Sequence, residues 1–321
     1  MKAMVQDRYG PPDRLELRDV AIPEVGDSDV LVRVRAASVN PLDWHLTEGL
    51  PYLVRMSDGL RQPKRTIPGV DVAGTVESVG AEVHDLAVGD EVFGNAPGSF
   101  AEYALGKPSR LARKPRGLSF EEAAAIPVAG VTALQGLRDK GAVTAGQHVL
   151  VNGAGGGIGT FAVQIARSMG ATVTGVCSAR NVDLVRSLGA ADVIDYATSD
   201  FTTAGVRYDC IIDTVCNHSI TSQRGALTKQ GALVMLGAAP GNWIGPMLPM
   251  LKVALMRRFV SQRISSMFAT IRRDDLVALA ALVDDGKLTP VVDRTYSIGD
   301  AADALRYLET GHARGKTVLT I

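Results

Sequence analysis

"VLVNGAGGGIGTFAVQIA", residues 149 to 166, decides how the chain is read. An apolar run ends at Val151, five glycines fall within the seven residues from Gly153 to Gly159, and an apolar-periodic helix follows. Strand, glycine loop and helix in this order make a seat for a pyrophosphate. Glycine lets the backbone approach the phosphates, and the helix offers unpaired N–H groups at its positive end. Gly153, Gly155, Gly156, Gly157, Ile158 and Gly159 are therefore candidate cofactor contacts, with Gly156 and Gly159 suited to the closest approach. A tight turn with no ligand is the plainer alternative.

Outward from this loop, "ATVTGVC", "DVIDY", "YDCIIDTV" and "GALVMLG" are apolar runs of strand length, separated by helical patterns such as "NVDLVRSLGA". That alternation predicts a parallel sheet covered on both faces, over residues 123–263. The chain before it reads as strands and turns: "DVLVRVRAASV", "GVDVAGTVESVG", "GDEVFG", "FAEYAL". After Phe259 come a helix "DDLVALAALVDDG", a strand "VVDRTYSI", a helix "AADALRYLETG" and a last strand "KTVLTI". The expectation is a two-domain α/β protein. Its β-rich domain takes residues 1–122 and 264–321, and a doubly wound Rossmann domain lies between them.

The second strand of the series decides which dinucleotide is expected. An NAD site carries an acid about 20 residues beyond the loop, on the ribose hydroxyl. Here "VTGVCSARN" offers Ser178 and Arg180, and no acid appears before Asp183. A hydroxyl and a guanidinium suit a 2′-phosphate, so NADPH is read over NADH. The bland role for Arg180 is to cap a solvated helix start.

Composition narrows the class. Thirty-four basic residues balance thirty-four acidic ones, which argues against a nucleic-acid partner. Cys177, Cys210 and Cys216 have neither disulfide nor zinc-ribbon spacing. The greasiest stretch, "WIGPMLPMLKVALM", is broken by prolines and a lysine and is too short to span a bilayer. A soluble, cytoplasmic protein is expected.

"PGVDVAGTVESVG", "VGDEVFG", "FAEYAL", "AAAIPVAGVTAL", "GAGGGIG" and "ARGKTVL" follow one another as landmarks do in the medium-chain dehydrogenase/reductase superfamily, which the chain resembles over nearly its whole length. The resemblance implies a GroES-like β-rich catalytic domain, a cleft between the domains as the active site, and a homodimer. Zinc alcohol dehydrogenases of that superfamily place metal ligands where this chain has Asn40, Val70 and Val128. Valine cannot coordinate a metal, so no metal site is expected. What remains resembles the zinc-free quinone reductase branch (zeta-crystallin-like).

Reducing an enone or quinone yields an enolate or phenolate, a weaker base than an alkoxide. Hydrogen-bond donors can then take the place of a Lewis acid. The stretch "SVNPLDWHLTEG", Ser38 to Gly49, is expected to supply such groups, with Asn40, His45 and the nearby Tyr52 as catalytic candidates. Each has a bland reading: a turn former before Pro41, a solvated imidazole, a surface aromatic. The resemblance adds Thr132 at the nicotinamide end, Tyr196 near the adenosine phosphate, Leu236, Gly237 and Ala238 along the cofactor, and Gly315 and Lys316 near the 2′-phosphate or pyrophosphate. The implied reaction is NADPH-dependent hydride transfer to a small quinone or α,β-unsaturated carbonyl, with water as a source of the second proton. An NADPH-binding protein without significant turnover is the alternative, and an alcohol dehydrogenase a weaker one.

Overall fold

The computed structural model of the protein describes residues 1–52, 54–237 and 261–321. The chain divides into two compact units, Met1–Val131 with Ile271–Ile321, and Thr132–Thr270. The first unit opens with strands β1 (Lys2–Val5), β2 (Glu16–Asp19), β3 (Val30–Val39), β4 (Asp71–Val79), β5 (Glu91–Asn95), β6 (Tyr103–Gly106) and β7 (Leu111–Arg113). The second holds β8 (His148–Asn152), β9 (Thr172–Cys177), β10 (Asp192–Asp195), β11 (Tyr208–Asp213), β12 (Leu227–Met235) and β13 (Arg263–Ser266). The chain then returns to the first unit for β14 (Val292–Ser297) and β15 (Lys316–Thr320).

In the first unit the main sheet runs β14-β15-β3-β4-β5-β7, with β6 also paired to β3, and β1 and β2 form a separate ribbon. Strand β3 is its spine. Its first half alternates, with Arg33 and Arg35 outward and Val30, Val32 and Val34 buried. From Ala36 the alternation stops: Ala37 and Val39 pack against the helix Ala301–Glu309, and Ala36 and Ser38 on the other face are buried as well. Ala36, Ala37, Ser38 and Val39 are all buried, so the strand delivers Asn40 into the interior rather than to solvent.

The chain passes from one unit to the other further along than the texture of the sequence suggested. Crossings fall at Val131/Thr132 and Thr270/Ile271, against expected boundaries at 122/123 and 263/264. The helix Phe120–Ala124 explains the first difference, since it packs on β3 and β4 of the first unit. Its start is well specified: Ser119 accepts from Glu122 N and Glu122 answers to Ser119 N, a reciprocal cap.

The second unit's sheet is wholly parallel, in the order β10-β9-β8-β11-β12-β13. Counted from β8 this is 3-2-1-4-5-6, the doubly wound order, with its reversal between β8 and β11. The central strands are apolar throughout because helices cover both faces. Phe161, Val163 and Ile165 of the helix Gly157–Ser168 are fully buried, as are Leu150, Ile211 and Leu233 of the sheet. Burial of such side chains contributes about 1.5–3 kcal/mol each, enough to fix the helix beside β8.

The tract "RMSDGLRQPKR", residues 55–65, reads as a solvated loop, and Arg61, Gln62, Lys64 and Arg65 are exposed, but it is anchored on its own unit. It begins in the short helix Val54–Asp58, Asp58 is buried, and Gly59 O accepts from the Tyr9 hydroxyl at 2.8 Å. The helical pattern "MLKVALMRRF" and Ala238 lie outside the described residues. Among the described residues no helix is long and apolar enough to cross a membrane.

Candidate functional site

The glycine loop sits where the doubly wound sheet places ligands, at the carboxyl end of β8 beside the reversal. Gly153 has φ +86°, and a β-carbon there would fall 2.3 Å from Thr214 Oγ1. Gly159 is tighter still, its would-be β-carbon 2.0 Å from Gly153 O, so the helix starts directly beneath the turn. Gly155 is pressed by the Asn181 side chain, while Gly156, Gly157 and Ile158 are partly exposed. Gly156 is the N-cap of the twelve-residue helix and no side chain caps it. Its first-turn N–H groups are the donors a pyrophosphate takes. The loop thus fits a dinucleotide: at Gly153, Gly155, Gly156, Gly157 and Gly159 no side chain stands between the backbone and a ligand.

Ser178 and Arg180 follow β9, and Tyr196 follows β10. The strands are in register at Cys177 and Asp195, so Ser178 and Tyr196 leave the sheet side by side. Tyr196 N donates to Cys177 O at 3.1 Å, which ties the two strand ends together. Arg180 and Tyr196 are exposed and Ser178 partly so, and no carboxylate follows β9 before Asp183. Ser178, Arg180 and Tyr196 thus follow two strand ends that lie side by side. Asn181, which the sequence did not flag, is buried beside the loop with its Oδ1 unpartnered. A hydroxyl-bearing ligand in the cradle would answer that orphan.

At the reversal itself, Asp213 is fully buried and accepts four hydrogen bonds, from Asn152 Nδ2, Val215 N, Cys216 N and Gln223 Nε2, at 2.8–3.1 Å. Leu236 N and Gly237 N donate to its backbone carbonyl. Leu236 and Gly237 are thus held at the end of β12, and a β-carbon on Gly237 would strike Thr214 O at 2.5 Å. Cys216 is inert: burial pushes its thiol up to about 12. Thr132 is buried in the helix Pro127–Gln135.

In the first unit, Asn40 caps the helix Pro41–Glu48 and is buried. Its Nδ2 donates to Asp71 Oδ2 at 2.9 Å and more weakly to Ser38 O at 3.4 Å. Its Oδ1 accepts from Lys316 Nζ at 2.5 Å. Lys316 is itself buried at the start of β15, donating also to Val39 O at 3.1 Å. The resemblance put Lys316 near phosphate groups; its partners here are instead the Asn40 amide and a strand carbonyl. Gly315 before it has φ +89° and no room for a β-carbon, 2.4 Å from Val291 O.

Asp71 Oδ2 accepts a second bond from Ser38 Oγ at 2.8 Å, and Oδ1 accepts from Val128 N at 3.1 Å. Asp43 accepts from Asn40 N at 2.8 Å through Oδ2, and its Oδ1 is buried without a partner. Burial, then the neighbouring Asp71, pushes the Asp43 carboxyl up to about 7. Burial also raises Asp71, opposed by Lys316, Asn40 and Ser38, and burial lowers Lys316, opposed by the two acids. Among the described residues no group of three or more His, Cys, Asp or Glu is placed to hold a metal ion.

His45 lies one turn further along the helix, half-buried, its Nδ1 donating to Leu50 O at 2.8 Å and its ring edge-on to Trp44. A carbonyl only accepts, so in the neutral ring Nε2 is left as an acceptor. Burial lowers its pKa, which favours that neutral form. Tyr52 is 37% exposed, with the Arg55 guanidinium 4.8 Å from its ring centre. Of the polar groups foreseen on this stretch, only the Tyr52 ring is open to solvent by more than a third. Sequence reasoning missed the partners of Asn40 because Asp71 and Lys316 are distant along the chain.

Residues 26–116 match the model of the alcohol dehydrogenase GroES-like domain, and residues 188–319 that of the zinc-binding dehydrogenase family. An NADPH-dependent alkenal/one oxidoreductase of Arabidopsis thaliana is 34% identical, across 99% of this chain and 79% of the relative. Quinone-oxidoreductase QR1 of Triphysaria versicolor is 32% identical, across 99% and 98%. The solved quinone oxidoreductase of Coxiella burnetii superposes with a TM-score of 0.88 at 32% identity, covering 100% of this chain and 99% of that one. With this identity sustained along nearly the whole chain, and with the same two domains, the protein belongs to the medium-chain dehydrogenase/reductase superfamily, among its quinone and alkenal oxidoreductases.

Proposed function

We propose that the protein transfers hydride from NADPH to a quinone or an α,β-unsaturated carbonyl, without a metal. The observation that carries this reading is the pairing of an intact dinucleotide cradle with Asn40, Val70 and Val128 at the three positions where zinc relatives have ligands. Two valines and an amide already bonded to a lysine and an aspartate make no ligand set.

The N–H groups around Gly156, Gly157, Ile158 and Gly159 hold the pyrophosphate, with Gly153 and Gly155 giving the turn its shape. Ser178, Arg180 and Tyr196 hold the 2′-phosphate, and Leu236, Gly237 and Thr132 take the nicotinamide end. The nicotinamide supplies the hydride when bound. Tyr52 is the candidate donor to the acceptor oxygen, and His45 Nε2 an acceptor toward a bound hydroxyl or water. Asn40 is enclosed by its partners and shapes the wall, and the remaining proton comes from solvent. The preference for NADPH over NADH rests on the Ser178–Arg180–Tyr196 corner and is supported by the NADPH-dependent relative. A homodimer and a cytoplasmic location belong to the same proposal.

The test follows NADPH absorbance with chelator-treated protein, offering a simple quinone and a short enone, with NADH as control. Turnover with NADPH that survives metal removal supports the reading, and the faster acceptor names the substrate class. Tight NADPH binding with neither acceptor reduced would sink it, and metal-restored activity would sink its zinc-free part.

A further inference from the structure

The buried polar nest at the end of β3 holds two carboxylates, one ammonium and one amide, all withdrawn from solvent: Asp43, Asp71, Lys316 and Asn40. Its hydrogen bonds form a chain. Lys316 Nζ donates to Asn40 Oδ1, Asn40 Nδ2 donates to Asp71 Oδ2, and Asp71 Oδ1 receives Val128 N. A cation on the amide oxygen and an anion on the amide nitrogen leave the side chain a single orientation, since the flipped amide would face an ammonium with an N–H and a carboxylate with an oxygen. The same chain links position 40, position 71 beside Val70, and position 128. Positions 40 and 128, with position 70 next to Asp71, are where zinc relatives gather metal ligands.

The two acids are not equivalent. Asp71 accepts three hydrogen bonds, two on Oδ2 and one on Oδ1, and is joined to Lys316 through one amide. Asp43 accepts one, from Asn40 N, and its Oδ1 has no partner. A buried negative charge needs hydrogen-bond donors, and only Asp71 has enough of them. Two carboxylates sharing one ammonium also leave one excess negative charge unless a proton is kept. The charged groups acting on Asp43 are Asp71 and Lys316.

We propose that Lys316 and Asp71 are positioning residues which lock the Asn40 side chain, with Asp43 held as the uncharged acid, so that an ammonium–amide–carboxylate chain cross-links the positions that metal joins in zinc relatives. The inference rests on the proposed reductase reading for its kinetic consequence, though not for the protonation state of Asp43. It also separates two roles for Lys316. A lysine on a cofactor phosphate sets NADPH affinity, whereas a lysine on Asn40 fixes the wall that orients the acceptor and so sets the rate once NADPH and acceptor are bound.

The deciding experiment compares wild type, Lys316→Met and Lys316→Met/Asp71→Asn, measuring NADPH affinity by cofactor fluorescence and kcat and KM with the better acceptor. Lys316→Met is expected to lower kcat by roughly tenfold or more, as loss of a charged hydrogen bond does, with NADPH affinity changed by no more than about twofold. The double variant removes the unpaired buried carboxylate, so it regains stability but not kcat. That split keeps the test alive if the single variant does not fold. A fall in NADPH affinity with kcat intact, or recovery of kcat together with stability, overturns the positioning role. Infrared spectra decide the protonation state independently. A buried carboxylic-acid C=O band should be present in wild type and lost in Asp43→Asn. Its absence from wild type, or its survival in Asp43→Asn, overturns that assignment, even if wild type reduced neither acceptor and the reductase reading itself had failed.

Discussion

Gly159 lies so close beneath Gly153 that a β-carbon on it would stand 2.0 Å from the Gly153 carbonyl oxygen. The obstacle is backbone, which cannot swing aside as a side chain can. Gly159→Ala must therefore push the helix Gly157–Ser168 away from the turn or open the turn itself. Overpacking of this kind costs about 1–3 kcal/mol. Urea unfolding should show that loss of stability, with weaker NADPH binding because the helix N-terminus has moved. Unchanged stability and affinity would mean that the loop yields more easily than its contacts imply.

The Ser178–Arg180–Tyr196 corner makes a prediction about selectivity. Charge-assisted bonds to a phosphate each contribute about 1.5–3 kcal/mol, so Arg180→Ala should weaken NADPH binding roughly ten- to hundredfold. NADH lacks the 2′-phosphate and should be almost unaffected. Titration of both cofactors into the variant checks this. Equal losses for the two would assign Arg180 to holding the helix start instead.

Much of this architecture could be read in advance. The strands β8, β9 and β11 announce themselves as short unbroken apolar runs, and the glycines between β8 and its helix leave few other readings. Periodicity also locates β3 and the paired helices and strands after residue 271. It does not locate the nest, because Asn40 and Lys316 are 276 positions apart and meet only when β15 pairs with β3. The same limit applies to Asn181, whose burial comes from packing on Gly155 and not from any local pattern. His45 and Tyr52 were legible as polar groups of the stretch that follows β3. Which ring nitrogen donates, and which side chain is enclosed, depends on Leu50 O and on Arg55, contacts made within a few residues by a turn that composition does not specify.

Asp213, at the end of β11, holds the reversal together through four hydrogen bonds. Asp213→Ala would strand the buried donors of Asn152 and Gln223 and leave the partly buried ones of Val215 and Cys216 without a partner. Each unsatisfied buried group costs about 1–3 kcal/mol, so a total loss above about 3 kcal/mol is expected. Asp213→Asn keeps the shape and two acceptor lone pairs and should lose less. Chemical denaturation of both variants tests the order, which a reversed ranking would contradict.

His45 gives a pH dependence with a definite sign. Its folded pKa lies below the ordinary imidazole value of 6.5, because burial disfavours the charged ring. Between those two values the unfolded chain binds more protons than the folded one. Stability should therefore fall as pH drops through that window and level off beneath it. His45→Gln removes the titrating group, so the difference between wild type and variant should shrink or reverse across the same window. A pH-independent difference would show that the ring is solvated in solution.

Asp43 has the opposite sign, and the contrast is a test of the nest. Its folded value of about 7 stands above the ordinary 3.8, through burial and the nearby Asp71. Across that interval the folded protein binds the extra proton, so its advantage is complete below about 3.8 and is lost as pH rises through about 7. Asp71 is raised by burial as well and adds to the same trend, whereas burial lowers Lys316, which acts in the opposite sense. Asp43→Asn is uncharged throughout and mimics the protonated acid. From about pH 5 to about pH 8 wild type should lose stability relative to this variant, read as diverging urea midpoints. Parallel midpoints would mean that Asp43 is already ionised at acid pH. The ammonium would then be shared between two charged carboxylates, and Asn40 would owe its orientation to something other than a single ion pair.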